Sequence, residues 1–389
     1  MYWANHGGMR HVSVPVFALT DPSVTMMRNI LITTSICALA QLIICWILAT
    51  PALACSIFSL AEGGAVVCGR NLDLDGPLPG HVIVNPRGIT KAILPWKGSW
   101  PVDYEGEPET WVSGYGSITF TCYGRDFIES GMNEAGLVIM ETSLWAVYPP
   151  EDDRPGVSCG QWMQYQLDNY ATVEEVLLHL GDLRPDGEGW HYLVADSTGV
   201  SAVIEYTNGE PFVIAGDSLE VPALTNTMYR QAYPHIAMDS AFGGDTDIAS
   251  GSDSYARFVR MAALMRDYAP RDGGPPVPYA FHILGEISCG QTLRSVVFDA
   301  TGKSVFWKTS SNQEIRWLEM VSLDLSAGAG VLTIDVNEGA PGDASKSLTS
   351  YSVEANRAVV IRTKGPGARD ALGLIAEYPT SVTAPSGAH

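Results

Sequence analysis

Apolar and polar positions alternate in short runs along most of the chain from Cys55 onward, and the runs come in pairs. "CSIFSLAEGGAVVCGRNLDLDG" (55–76) sets two such runs around Glu62-Gly63-Gly64, the composition of a tight hairpin turn. With the turn on Glu62-Gly63 or on Gly63-Gly64, antiparallel pairing sets Cys55 opposite Arg70 to Leu72, which brings a guanidinium close to this cysteine. Further strand material lies in 113–145, broken by turns at Asn133-Glu134 and Gly136. "WHYLVADSTGVSAVIEY" (190–206) and "TLRSVVFDATGKSVFWKTS" (292–310) read as hairpins, and "PFVIAG" and "PALTNTMY" as more strand. Helical spacing appears at 159–170, again after the capping box Thr172-Val173-Glu174-Glu175, with Gly181 as its stop, and at 254–268, ahead of Pro270. Residues 239–254 are loop-like, while 331–335 and 358–362 have the look of strands before a frayed end. No repeat or linker divides the chain, so 55–389 is expected to form one α+β domain, with sheets under helices.

The segment before Cys55 has another character. Residues 30–50 carry no charge, Arg28 precedes them, and Ala52-Leu53-Ala54 supplies the small-x-small ending of an export signal. Residues 1–54 therefore read as an N-terminal extension and signal peptide, with Met26 or Met27 as alternative starts. Cleavage after Ala54 would make Cys55 the first residue of an exported protein, periplasmic or secreted. An uncleaved anchor is the competing reading, because the apolar run is about as long as a membrane span. Lipidation of Cys55 is another, although lipoprotein signals favour a large aliphatic residue where this chain has Ala52.

Charge and cysteine content narrow the chemistry. The chain carries a net charge of −20, and from Cys55 onward 42 acids face 21 bases. Such a field repels phosphate backbones and argues against a nucleic-acid partner. The five cysteines from Cys55 onward include no C-x-x-C pair, and the histidines show no H-E-x-x-H spacing. No metal or cofactor is expected. Five is an odd number, so at least one thiol lacks an intramolecular partner. A serine esterase finds no support, since G-x-S-x-G is absent.

Cys55 after a processing site, "GRNLD" (69–73), "GMNEAGL" (131–137), "HYLVADSTGVSAVIE" (191–205), "LTN" (224–226) and "YARF" (255–258) occur in order from Cys55 to roughly residue 320. In this the chain resembles the choloylglycine hydrolase family, conjugated bile acid hydrolases and penicillin V acylases among them, which belong to the N-terminal nucleophile hydrolases. The resemblance implies a four-layer αββα sandwich of antiparallel sheets between helices. It implies Cys55 as nucleophile, flanked by Arg70 and Asp73. Asn226 would supply a side-chain oxyanion donor, Ser143 the backbone donor, and Arg257 would be the second active-site arginine. Ser143 departs from the Asn or Tyr that the family carries there. Many members are tetramers, but the stretch from Asn226 to Arg257 is short, and a homo-oligomer stays open.

Amide hydrolysis needs a nucleophile, a group that moves its proton, and donors for the developing oxyanion. An N-terminal cysteine supplies the first two, since its α-amine and thiol titrate near ~8 and ~8.5. A nearby Arg70 favours the thiolate. The expected substrate is a small N-acyl amide with a bulky apolar acyl group: a phenoxyacetyl penicillin, an N-acyl homoserine lactone or a conjugated bile salt. Trp145 and Tyr148 are candidate acyl-pocket residues. The alternative is a lipid-anchored or membrane-tethered binding protein on the same scaffold.

Overall fold

The computed structural model describes residues 55–364 apart from 75, 77–78, 99, 103–105, 107, 188 and 270–275. The export signal, the cleavage site, the alternative starts, Pro270 as a helix stop and the chain end past 364 lie outside the described residues.

The first hairpin sets the geometry of everything that follows. Strand β1 (Ser56–Glu62) pairs with β2 (Ala65–Asp73), and Glu62 lies across from Ala65. The loop is therefore Gly63-Gly64, with φ of 62° and 81°, the left-handed pair that a two-residue hairpin turn requires. Ser56 then faces Asn71, and the next position along places Cys55 across from Leu72. Arg70, across from Ile57, shares the face of Cys55 by the two-residue period of a strand. Gly69 is needed for a different reason: a Cβ there would sit 2.4 Å from the Phe58 ring. Gly69→Ala is expected to cost about 1–3 kcal/mol by overpacking, seen as a lowered urea midpoint with an unchanged slope.

The chain continues through β3 (His81–Asn85), β4 (Ser117–Thr121), β5 (Ser130–Asn133), β6 (Val138–Ser143), β7 (Trp190–Ala195), β8 (Ser201–Thr207), β9 (Glu210–Ala215) and β10 (Ala223–Leu224). Later come β11 (Thr292–Asp299), β12 (Ser304–Thr309), β13 (Arg316–Glu319), β14 (Leu332–Asp335), β15 (Gly342–Asp343) and β16 (Thr349–Ser350). Among the described residues they form a seven-stranded sheet, β10-β1-β2-β11-β12-β13-β15, and a nine-stranded one, β9-β8-β7-β6-β5-β4-β3-β14-β16. Pairing is antiparallel except where β13 meets β15. The sheets face each other through a shared apolar core in which Phe120 meets Phe298 and Trp307 edge-on, each at 5.9 Å.

Helices close both outer faces. On the nine-stranded sheet lies α1 (Cys159–Asn169), capped by Ser158 and burying Trp162, Met163 and Leu167. The capping box of Thr172 and Glu175 opens α2 (Val173–Leu178), which ends ahead of Gly181. Short α3 (Tyr229–Ala232) and α4 (Pro234–Met238) lead to α5 (Ser254–Asp267), which packs on β1 and β10. Helix α6 (Val277–Glu286) covers β2 and β11. The four layers form an αββα sandwich, two antiparallel sheets between helices.

Two local expectations change. Residues 358–362 belong to a helix, α7 (Val353–Lys364), instead of a strand. Val359 and Val360 are buried there, and the tertiary contacts outweigh the β preference of the run. The strand expected through "PALTNTMY" stops at Leu224, because the backbone turns at Asn226 and re-enters as α3.

Candidate active site

Cys55 lies at the inner end of β1, buried, with its carbonyl accepting a hydrogen bond from Arg257 Nη1 at 2.8 Å. The same nitrogen donates to Ser56 Oγ at 2.6 Å, and Arg257 Nη2 donates to Asn226 Oδ1 at 3.1 Å. One guanidinium on α5 thus ties the nucleophile candidate to the amide candidate. With its oxygen held by Arg257, Asn226 turns its NH2 outward, and Nδ2 donates to Ser143 O at 3.0 Å and Ser143 Oγ at 2.9 Å. Asn226 and Ser143 are therefore neighbours, brought from β10 and the end of β6. A buried network holds them there. Thr142 Oγ1 donates to Thr225 O at 2.7 Å, His191 Nε2 is 2.7 Å from the same oxygen and close to Thr142 Oγ1, and His191 Nδ1 meets Glu205 at 3.1 Å.

Asp73 ends β2, fully buried, and its backbone forms a hydrogen bond with the Cys55 thiol. Its Oδ1 accepts from Thr292 Oγ1 at 2.5 Å, the Cys289 thiol lies against the carboxylate, and Oδ2 is buried without a hydrogen-bond partner. Burial raises the Asp73 carboxyl above its usual range, against the pull of Thr292 and Arg257. Arg257 is lowered, again by burial, with Asp73, Cys289 and Cys55 opposing.

Arg70 is almost completely buried and does not face the thiol alone. Nη1 reaches Glu129 Oε2 at 2.9 Å, and Nη2 reaches Glu141 Oε1 at 2.8 Å. Glu129 also holds Arg294 Nη2 at 2.8 Å. Burial alone would raise Glu129, but Arg294 and Arg70 outweigh it, and its carboxyl lies below the ordinary range. Glu141 goes the other way: burial pushes it up to about 8, with Arg70 opposing and Glu129 adding to the rise. The Cys55 thiol, in peptide linkage to Ala54, is pushed up to about 12, by burial first, with Arg70 lowering it and Glu141 raising it.

All six expected residues with chemical roles (Cys55, Arg70, Asp73, Ser143, Asn226 and Arg257) thus join one connected constellation. Trp145, two residues past Ser143, is 83% exposed and stands in solvent beside it. Tyr148 is half-buried and packs against the core: its hydroxyl meets Tyr192 Oη at 3.0 Å and its ring lies 5.1 Å from that of Tyr206. The sequence reading did not identify Glu129, Glu141, Thr292, Cys289 or Arg294. An acid at a buried strand position, as in "VIMETS" (138–143), is the one signal that pointed to Glu141.

A buried thiol, an adjacent carboxylate, a clamped amide and a strand-end backbone are the parts that acyl transfer requires. Comparison with known proteins agrees. Residues 55–227 match the model of the linear amide C-N hydrolases, choloylglycine hydrolase family. That match starts at Cys55 and takes in Arg70, Asp73, Ser143 and Asn226, with Arg257 beyond it. Penicillin V acylase of Pectobacterium atrosepticum is 25% identical over 266 residues, 57% of this chain and 70% of that one. The structure of penicillin V acylase from Agrobacterium tumefaciens superposes with a TM-score of 0.67 at 24% identity, covering 76% of this chain and 98% of that one. A mutant conjugated bile acid hydrolase from Clostridium perfringens gives 0.60 at 17% identity, covering 74% and 98%. Over residues 55–227, which hold most of the site, the chain is similar to the linear amide C-N hydrolases of the choloylglycine hydrolase family.

Proposed function

We propose that the protein hydrolyses small N-acyl amides with a bulky apolar acyl group, using Cys55 as the nucleophile after removal of residues 1–54 during export. The observation that carries this reading is the single Arg257 guanidinium holding both Cys55 and Asn226. The start of the family match at Cys55 supports the processing step. The likeness to penicillin V acylases supports a phenoxyacetyl-type acyl group ahead of a bile salt. Trp145, an exposed ring beside Ser143, is the candidate acyl contact.

While Cys55 is linked to Ala54, its nitrogen is an amide without basicity and the thiol stays protonated near neutrality. Cleavage changes both. The new α-ammonium places a positive charge next to sulfur and lowers the thiol pKa. As the amine, it takes the thiol proton while Sγ attacks the substrate carbonyl carbon. Asp73 Oδ2, a buried acceptor without a partner, is suited to orient this amine. The tetrahedral oxygen takes hydrogen bonds from Asn226 Nδ2 and the backbone at Ser143, so the Asn226–Ser143 contacts give way when substrate enters. The carbon–nitrogen bond then breaks, the proton passes to the leaving nitrogen, and a thioester remains. Water, deprotonated by the same amine, cleaves the thioester, releases the acid and returns a proton to sulfur.

Asn226→Ala is expected to lower kcat about 100–1000-fold with little change in KM, since its donor acts on charge that develops in the transition state. Steady-state kinetics on phenoxyacetyl penicillin, decanoyl homoserine lactone and glycine-conjugated cholate would measure this. A wild-type protein, processed to Cys55, that cleaves none of the three would overturn the substrate reading.

A further inference from the structure

The site contains more acid than its two inner arginines can neutralise. Arg70 and Arg294 are the guanidinium groups of the inner cluster, and both are about 98–99% buried. Four acidic groups meet them: Glu129, which contacts both, Glu141, which contacts Arg70, the Cys55 thiol, and the Cys122 thiol, which bonds Glu129 and which burial keeps protonated. Arg257 and Asp73 form a second pair of opposite charge at Cys55, one on its carbonyl and one beside its thiol. With the α-amine of processed Cys55 neutral, ionisation of Glu129, Glu141 and Cys55 together would leave the inner cluster one uncompensated negative charge away from water. That carries a desolvation cost a buried site avoids by keeping a proton.

The contacts indicate which groups compete for it. Glu129 has a guanidinium on each carboxylate oxygen, Arg70 at 2.9 Å and Arg294 at 2.8 Å, so it holds its charge. Glu141 has Arg70 on Oε1 alone, and its Oε2 is buried with no hydrogen-bond partner. Of the two glutamates, the one with an unsatisfied buried oxygen is the cheaper to protonate, and the matching oxygen of Asp73 faces the new amine in the proposed mechanism. The groups set against it are Arg70 on β2, Glu129 just ahead of β5, Cys55 at the start of β1, and Tyr123. Of these, only Cys55 has a task that requires it to change charge.

We propose that Glu141 is a positioning residue that governs the charge on Cys55: the two are alternative holders of one proton, and the thiolate forms when Glu141 is neutral. This rests on the reading of Cys55 as nucleophile. With Glu141 protonated, Arg70 is neutralised only in part by Glu129, and the remainder of its charge stabilises sulfur. With Glu141 ionised, Arg70 is fully engaged and the thiol keeps its proton. Proton number is conserved throughout: one leaves sulfur as one is held on Glu141, through the amine or solvent. The rise of the Glu141 carboxyl to about 8 and its unfavourable effect on the thiol are consistent with this exchange.

The test is the pH dependence of iodoacetamide labelling of Cys55 in the processed protein. The Cys55 peptide is followed by mass spectrometry, so that Cys159 and Cys289 do not contribute. Glu141→Gln keeps a partner for Arg70 and removes the negative charge. Its labelling midpoint is expected to fall by about one unit or more relative to wild type. An unchanged or raised midpoint in a folded E141Q protein would overturn the proposal. If E141Q does not fold, wild type carrying 13C-labelled glutamate gives the answer by infrared spectroscopy. A protonated glutamic acid carbonyl band persisting at neutral pH is expected, and its absence would overturn the proposal. A shifted thiol midpoint without amide hydrolysis would leave the Glu141 assignment standing and reject the enzymatic reading. Hydrolysis with an unshifted midpoint would do the reverse.

Discussion

Cys55→Ala protein is expected to keep its fold and lose amide hydrolysis by about four orders of magnitude or more, as removal of a nucleophile does in acyl-transfer enzymes. The fold should survive because the change is small and local. Cys55 precedes β1, its carbonyl bond to Arg257 is made by the backbone, and alanine retains it. What disappears is the sulfur to which Arg70, Asp73 and Glu141 are coupled. The variant separates the two roles of residue 55, since a merely structural cysteine would lower stability and leave turnover. Circular dichroism with turnover on the same preparation measures both, and substantial residual turnover would exclude the proposed chemistry.

Arg70→Met is the substitution with the largest expected effect on stability. Glu129 keeps Arg294, but Glu141 loses the one guanidinium that reaches it among the described residues. Breaking a buried pair from one side costs about 3–5 kcal/mol. The sign with pH follows from Glu141. Its folded pKa is raised to about 8, above the unfolded value, so its neutral form favours the fold at acid pH. That contribution is lost as pH rises through the folded value. Without Arg70 the ionised form is less tolerable still, so the deficit of R70M should widen toward alkaline pH and narrow toward acid. Urea unfolding on the two sides of that range measures it. In addition, the Cys55 labelling midpoint should rise by about one unit or more, because the largest opposing influence on thiol burial is gone.

Much of this site was legible because it is built on a hairpin. Period-two alternation and a Gly-Gly turn fix register, and register alone brings Arg70 onto the face of Cys55. Local signals also marked α1, α2 and α5, by helical spacing and, for α2, by the capping box at Thr172, whereas the caps Ser158 and Asp253 emerge from the structure. What stayed hidden depends on distant partners. Glu129 and Glu141 are separated from Arg70 by 59 and 71 positions, and apart from the acid inside the strand run "VIMETS" nothing in their neighbourhood announces a buried ion pair. Helix α6 escaped notice because "VPYAFHILGE" is apolar on most sides and opens at proline, without a polar cap. Residues 358–362 misled for the opposite reason: "AVVIR" has strand composition, yet burial of Val359 and Val360 selects a helix. Asn226 and Arg257 were readable through the family resemblance, whereas their mutual contact and the shared grip on Cys55 needed coordinates.

The most direct test of the central claim is the intact mass of the exported protein, recorded before and after brief acid-quenched mixing with phenoxyacetyl penicillin. The expected result is a chain that begins at Cys55 with a free amine and gains one acyl group, which peptide mapping assigns to Cys55 sulfur. A mass that retains residues 1–54, a diacylglyceryl-modified Cys55, or an acyl group located on any other residue would contradict it.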